Sequence, residues 1–182
     1  MKLILTDCDG VLLNWIDAFD AWISDTHGFD VVDTTDYDLS KRYSHDYTKF
    51  DRGMINMFNI SAAAGFLPPM QDSIKYVRKL HEQRGYIFRV ITSFTLDPYA
   101  IKLREQLLDR YYGSAIDGMI SLSIDAPKDA VLKNYKDSGL PWIEDKTKNA
   151  NLGADFGLQS YLYTHSYNAE DKEDDDVLRV KN

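Results

Sequence analysis

Two acids one residue apart, Asp7 and Asp9, stand where an apolar run ends, in Asp7-Cys8-Asp9-Gly10-Val11. Ionised and about 4–6 Å apart, such a pair repels by a few kcal/mol at an effective dielectric of about 20. A fold accepts that cost when a divalent cation sits between the acids, or when one is a nucleophile and the other carries a proton. Gly10 lets the backbone turn tightly and lets a ligand approach. The bland alternative is an Asp-Gly turn with a spare acid. Against it stand two further polar pairs that end apolar runs, Thr92-Ser93 and Glu144-Asp145.

The elements that must position these residues follow from periodicity. Lys2–Thr6 reads as a buried strand, and strands are expected at Tyr86–Thr92, Ile116–Leu122, Leu140–Ile143 and Leu158–Tyr163, with a short one at Val177–Val180. Between them come helical stretches near 70–84, from Asp97-Pro98 to Tyr112, from Pro127 through Tyr135, and over 147–156. Asp97 is a good N-cap with Pro98 at the first helical position. Strands alternating with helices predict an α/β fold, a Rossmann-like parallel sheet with helices on both faces. Functional groups then belong at the C-terminal ends of the strands, where the three polar pairs fall.

The stretch between Asn14 and Leu67 breaks this rhythm. Trp15, Ile16, Phe19, Trp22 and Ile23 have helical spacing, and Gly28 can end that helix. Residues 29–50 are polar and aromatic without periodicity, and 51–64 turn helical again. Gly65 and Pro68-Pro69 then break the chain. We expect a core of 1–13 and 68–182 with a small α-helical cap, 14–67, inserted after the first strand.

If the strand ends converge, the residues form a set for phosphoryl transfer. Asp7 is a carboxylate nucleophile, and Asp9, on the same side of the chain, reaches the leaving oxygen. Thr92 offers a hydroxyl and Ser93 a backbone N–H to phosphoryl oxygens. Lys128 brings a positive charge, and Asp145, with or without Glu144, completes a carboxylate cage for Mg²⁺. Each residue also has a plainer reading. Thr92-Ser93 can cap a turn, and Lys133 competes with Lys128, which is favoured by its place at a helix start after a proline. Asn149 either orients Asp145 or is a helix-surface amide. Trp15, Phe19 and Trp22 at helical spacing suit a core, with Trp15 singled out by its closeness to Asp9. The four histidines (27, 45, 81 and 165) show no metal-ligand spacing, and no P-loop is present.

These four stretches, in this order, resemble the motifs of the haloacid dehalogenase (HAD) superfamily. The resemblance implies a Mg²⁺ cofactor and an aspartyl-phosphate intermediate. It makes Asp7 the nucleophile and Asp9 the general acid and later base. Thr92, Ser93 and Lys128 would bind phosphate, and the metal would sit on Asp7, the Asp9 carbonyl and Asp145. An acid at position 9 points to a phosphatase within that superfamily. A closer resemblance is to the 5'(3')-deoxyribonucleotidases. It rests on the size and place of the insertion, on Phe66-Leu67-Pro68-Pro69, and on Thr164-His165-Ser166-Tyr167-Asn168 followed by an acidic loop and Leu178-Arg179-Val180. Trp15 and Phe66 fall where that group places aromatics near a nucleobase, and stacking suits such a slot. Glu144 departs from the more usual Asp at its position.

Composition bounds the rest. At 182 residues and 44% apolar content the chain can bury a real core. A net charge of −8 argues against polymeric nucleic acid but not against a small phosphorylated ligand beside a metal. No apolar run suits a membrane span. A start directly in a strand and a single cysteine, Cys8, suggest a cytoplasmic protein without a signal peptide. Cys8 reads as packing, quietened by its acidic neighbours. The acidic run Glu170–Asp176 reads as a solvated loop. The expected partner is a small phosphomonoester, first a nucleoside or deoxynucleoside monophosphate and second a sugar phosphate; a homodimer is left open. The rival reading is a non-catalytic nucleotide-binding module, disfavoured because both Asp7 and Asp9 are retained.

Overall fold

The computed structural model describes residues 2–35, 38–43 and 53–181. Six parallel strands form one sheet: β1 (Lys2–Thr6), β2 (Tyr86–Ser93), β3 (Ile116–Leu122), β4 (Pro141–Glu144), β5 (Gln159–Tyr163) and β6 (Val177–Val180). Their spatial order is β3-β2-β1-β4-β5-β6. From β1 the chain steps outward to β2 and β3, then crosses back to β4 and runs outward the other way. Connections therefore leave β1 and β4 in opposite directions, which opens a crevice at their C-terminal ends. Asp7 follows β1 at that point, and its N–H continues the pairing by donating to Ile143 O at 2.8 Å.

Alternation along the strands builds two cores. Ile4, Phe88 and Val90 face one side, with Val77, Leu107 and Leu108 from the helices α4 (Ser73–Arg84) and α5 (Pro98–Tyr112). Leu5, Ile91 and Trp142 face the other, with Leu132 from α6 (Asp129–Leu132). A last helix, α7 (Thr147–Asp155), follows β4. Asp97 caps α5 as expected, accepting from Ala100 N at 2.8 Å.

The segment after Leu13 carries the helices α1 (Trp15–His27), α2 (Leu39–Arg42) and α3 (Gly53–Asn59) and a 3₁₀ turn, Ala62–Phe66. It leaves and returns beside one antiparallel bridge, Leu13 with Pro69, flanked by Asn14 N–H to Pro68 O at 2.8 Å and Met70 N–H to Leu12 O at 2.9 Å. Its apolar residues Phe19, Ile23 and Phe58 belong to the same buried cluster as Ile4 and Phe88. The helix expected over 51–64 is shorter in its described part. The Ser61 hydroxyl donates to Phe58 O at 2.7 Å and closes α3. The helix expected from residue 70 starts at Ser73, because Asp72 sits in the left-handed region at φ 63°. Tyr37, His45, Tyr47 and Phe50 lie outside the described residues. Among the described residues, no helix is long and apolar enough to cross a membrane.

Candidate active site

The crevice is a cleft of about 1570 Å³ lined from the sheet side by Asp7, Asp9, Thr92, Ser93, Lys128 and Asp145. All six residues singled out there by the sequence are brought together. Asp7 directly follows β1, Thr92 and Ser93 end β2, and Asp145 directly follows β4. Lys128 opens α6 after β3, from a loop held by the Ser93 hydroxyl, which donates to Ala126 O at 2.9 Å. That bond engages the Ser93 hydroxyl within the fold.

Lys128 is the centre of the charge arrangement. It is only 2% exposed, and its Nζ lies 2.8 Å from Asp7 Oδ2 and 2.7 Å from Glu144 Oε2. Burial opposes its charge, but the two carboxylates raise its pKa and hold it as an ammonium. Asp7 accepts from Cys8 N–H at 2.7 Å. Burial, then the Glu144 charge, push the Asp7 carboxyl up to about 7 against the pull of Lys128. Glu144 is fully buried and hydrogen-bonded through both oxygens. Oε1 accepts the N–H groups of Asp145 and Lys146, each at 3.1 Å, and Oε2 accepts Lys128 and, at 3.2 Å, Asn149 Nδ2. Asn149 therefore orients Glu144 rather than Asp145. Lys133 lies in the 3₁₀ turn Lys133–Tyr135, exposed, and does not line the cleft.

Carboxylate oxygens of Asp7, Glu144 and Asp145 lie within 4.8 Å of one another. Three carboxylates set against the Lys128 ammonium that bridges Asp7 and Glu144 leave the ionised group with excess negative charge. Asp145 Oδ1 is buried without a hydrogen-bond partner, while Oδ2 accepts from the Tyr167 hydroxyl. An orphaned carboxylate oxygen amid excess negative charge fits an oxygen-seeking divalent cation such as Mg²⁺. Because Glu144 already makes four hydrogen bonds, the oxygens left for a cation belong to Asp7 and Asp145. Burial, then the Asp7 charge, raise the Asp145 pKa, and a cation would reverse that.

The Asp9 side chain does not join the carboxylate group. It pairs with Arg104, which is 1% exposed on α5 and also donates to Cys8 Sγ at 3.4 Å. Its side chain is thus engaged by Arg104 and is not among the acids that cluster at the strand ends. Cys8 is buried as expected, and burial pushes its thiol up to about 12. The dominant cause is desolvation; the neighbouring acids add less.

Sequence reasoning missed Arg104, although the signal was present. Ala100, Arg104, Leu107 and Leu108 share the buried face of α5, and a cation on an apolar helix face demands a buried partner. It also assigned no role to Tyr167 or to His165, whose Nε2–H donates to Gly10 O at 2.7 Å. Gly10 itself has φ +79°, and a Cβ there would fall 2.4 Å from Asp145 Oδ2. Its glycine is required both by the turn and by the carboxylate behind it.

On the far wall of the cleft, Trp15 is half-buried. It stacks on Phe19 with centroids 4.7 Å apart and donates through Nε1 to Asn59 Oδ1 at 2.8 Å. Asn14, Asp17, Asp38 and Asn59 line the same wall. Phe66 is 73% exposed and does not line the cleft.

No family model matches the chain, and no curated protein matches it. Solved structures do. The D,D-heptose 1,7-bisphosphate phosphatase of Burkholderia thailandensis superposes with a TM-score of 0.59 over 99% of this chain and 92% of its own, at 13% identity. The chain has the fold of haloacid dehalogenase-like proteins. A protein of Burkholderia xenovorans LB400 described as a haloacid dehalogenase-like hydrolase superposes at 0.54, over 99% and 94% of the two chains, at 14% identity. At these identities the likeness is one of fold. In this HAD-like fold the cleft above β1 and β4 is where the chain's own acids and Lys128 meet.

Proposed function

We propose that the protein is a Mg²⁺-dependent phosphomonoester hydrolase built as a core, 1–13 and 68–182, and a cap, 14–67. The observation that carries this reading is the buried Lys128 bridging Asp7 and Glu144, beside the unpartnered Asp145 Oδ1. In the first half-reaction an Asp7 carboxylate oxygen attacks phosphorus, the bond to the ester oxygen breaks, and Asp9, whose carboxyl pKa is raised by burial despite the Arg104 charge, gives its proton to the departing alkoxide. In the second, Asp9 takes a proton from water as the water oxygen attacks phosphorus. The bond to Asp7 breaks, phosphate leaves, and both acids return to their starting states. Lys128, the Thr92 hydroxyl and the backbone at Ser93 hold the phosphoryl oxygens. Asp7, Asp145 and the Asp9 carbonyl would hold Mg²⁺, whose positive charge would offset the repulsion between Asp7 and a phosphate dianion.

The substrate we favour is a nucleoside or deoxynucleoside monophosphate in a cytoplasmic setting, with Trp15 as the stacking wall. A second reading, a sugar phosphate, draws on Asn14, Asp17, Asp38 and Asn59 along that wall and on Phe66 lying away from it. Phosphate release from nucleotide and sugar-phosphate panels, with Mg²⁺ and with EDTA, separates them. Nucleotide turnover that is lost with EDTA and weakened in KM by Trp15→Leu supports the first. Turnover confined to sugar phosphates and indifferent to Trp15→Leu supports the second. Silence from folded protein across both panels overturns the hydrolase reading.

A further inference from the structure

We infer that Tyr167 is a positioning residue for Asp145, and that the turn Ser166–Asn168 with His165 is a brace that aims one carboxylate oxygen at the cation. The inference rests on the reading of Asp145 as a metal ligand. A carboxylate with one oxygen unheld can rotate about its last bond. Here the Tyr167 hydroxyl donates to Oδ2 and leaves Oδ1 as the buried oxygen without a partner, in the group shared with Asp7. Gly10 closes the space on the Oδ2 side, since even a methyl there would meet Oδ2 at 2.4 Å and the Tyr167 hydroxyl at 3.0 Å. The backbone of Asp145 is held by the same turn, through Asn168 Nδ2–H to Asp145 O at 2.6 Å.

The turn is itself fixed on three sides. The Tyr167 ring stacks on His165 with centroids 4.9 Å apart and planes 10° from parallel. His165 Nε2–H reaches Gly10 O at 2.7 Å, tying the ring pair to the loop that carries Asp7 and Asp9. The Ser166 hydroxyl donates to Thr34 O at 2.7 Å, on the segment that forms the far wall. One short turn thus touches the metal ligand, the Asp7–Gly10 loop and the cap segment at once. A hydroxyl that fixes a ligating carboxylate is worth about 10–100-fold in metal affinity.

The test is metal binding without substrate. Mn²⁺ is titrated into the metal-free wild type, Asp145→Asn and Tyr167→Phe, and the free ion is counted by electron paramagnetic resonance. Tyr167→Phe keeps the ring stack and removes only the hydroxyl. We expect Asp145→Asn to abolish binding, and Tyr167→Phe to weaken it by about 10-fold or more with an unchanged melting temperature in EDTA. Wild-type-like binding by Tyr167→Phe while Asp145→Asn fails to bind overturns the brace and leaves the metal site standing. Wild-type-like binding by Asp145→Asn, or none by wild type, overturns the metal reading and the brace with it. A fall in melting temperature with unchanged affinity shows a packing role only and overturns the inference. Should Tyr167→Phe not fold, Gly10→Ala displaces the same oxygen from the other side, and unchanged affinity there overturns the brace.

Discussion

Lys128→Met removes the cation that, among the described residues, touches both Asp7 and Glu144. Nζ is 2.8 Å from one carboxylate and 2.7 Å from the other, so its loss leaves two acids facing each other across roughly 5 Å of buried space. At an effective dielectric of about 20 their repulsion is about 3 kcal/mol, and breaking a buried pair by removing one partner costs about 3–5 kcal/mol. For a chain of this length that is a fall of about 10 °C in melting temperature. The penalty has a pH signature. Lys128 holds the Asp7 pKa down to about 7, so its loss raises that pKa further. At pH 5.5 Asp7 is already neutral and little repulsion is released, whereas at pH 8 the variant must either take up a proton on Asp7 or bear the repulsion, and the cost is larger. Urea unfolding in EDTA at both pH values reads the difference. On the proposed role of Lys128 in holding the phosphoryl group, turnover is expected to fall as well. Adding Glu144→Gln restores much of the stability at pH 8, because one of the two charges is gone, but not the turnover. A Lys128→Met protein within about 1 kcal/mol of wild type at pH 8 refutes the buried-charge argument.

Asp7→Asn is expected to abolish turnover and leave the fold intact, since Lys128 keeps Glu144 as its partner; Mg²⁺-dependent phosphate release by that variant above background shows that another group is the nucleophile. Gly10→Ala combines a left-handed φ of +79° with a Cβ 2.4 Å from Asp145 Oδ2, so we expect about 2 kcal/mol of lost stability and a collapse in turnover. Gly28→Ala, with positive φ and nothing within 4 Å of its Cβ, is the control and should lose about 1 kcal/mol with activity unchanged. Metal-free wild type should lose stability as pH rises from about 4 to 7. The Asp7 pKa is raised on folding from 3.8 to about 7, so the folded state holds that proton more tightly, and its contribution of roughly 4 kcal/mol is present below pH 4 and gone above 7. A melting temperature in EDTA that is flat or rising across this range contradicts the assignment, and added Mg²⁺ should stabilise more at pH 8 than at pH 5.5.

Much of the site was legible before any coordinates. Short apolar runs alternating with helical patterns predicted the parallel sheet, because burying both sheet faces requires apolar strands between amphipathic helices. The polar residues at strand ends were legible for the same reason: a parallel sheet gathers those ends along one edge. So Asp7, Thr92, Ser93 and Asp145 are determined by sequence, and Lys128 follows from its place at a helix start. The structure alone decided how these charges are shared. That Glu144 is fully hydrogen-bonded around Lys128, that Asp9 turns to Arg104 some 95 residues away in sequence, and that Tyr167 holds Asp145 are contacts between elements remote in the chain. Local periodicity carries no information on such pairings. Phe66 shows the same limit. The resemblance implied a substrate contact there, but whether an aromatic faces the cleft or solvent depends on how the 3₁₀ turn at Ala62–Phe66 packs on α5, and that is settled only when the tertiary structure forms.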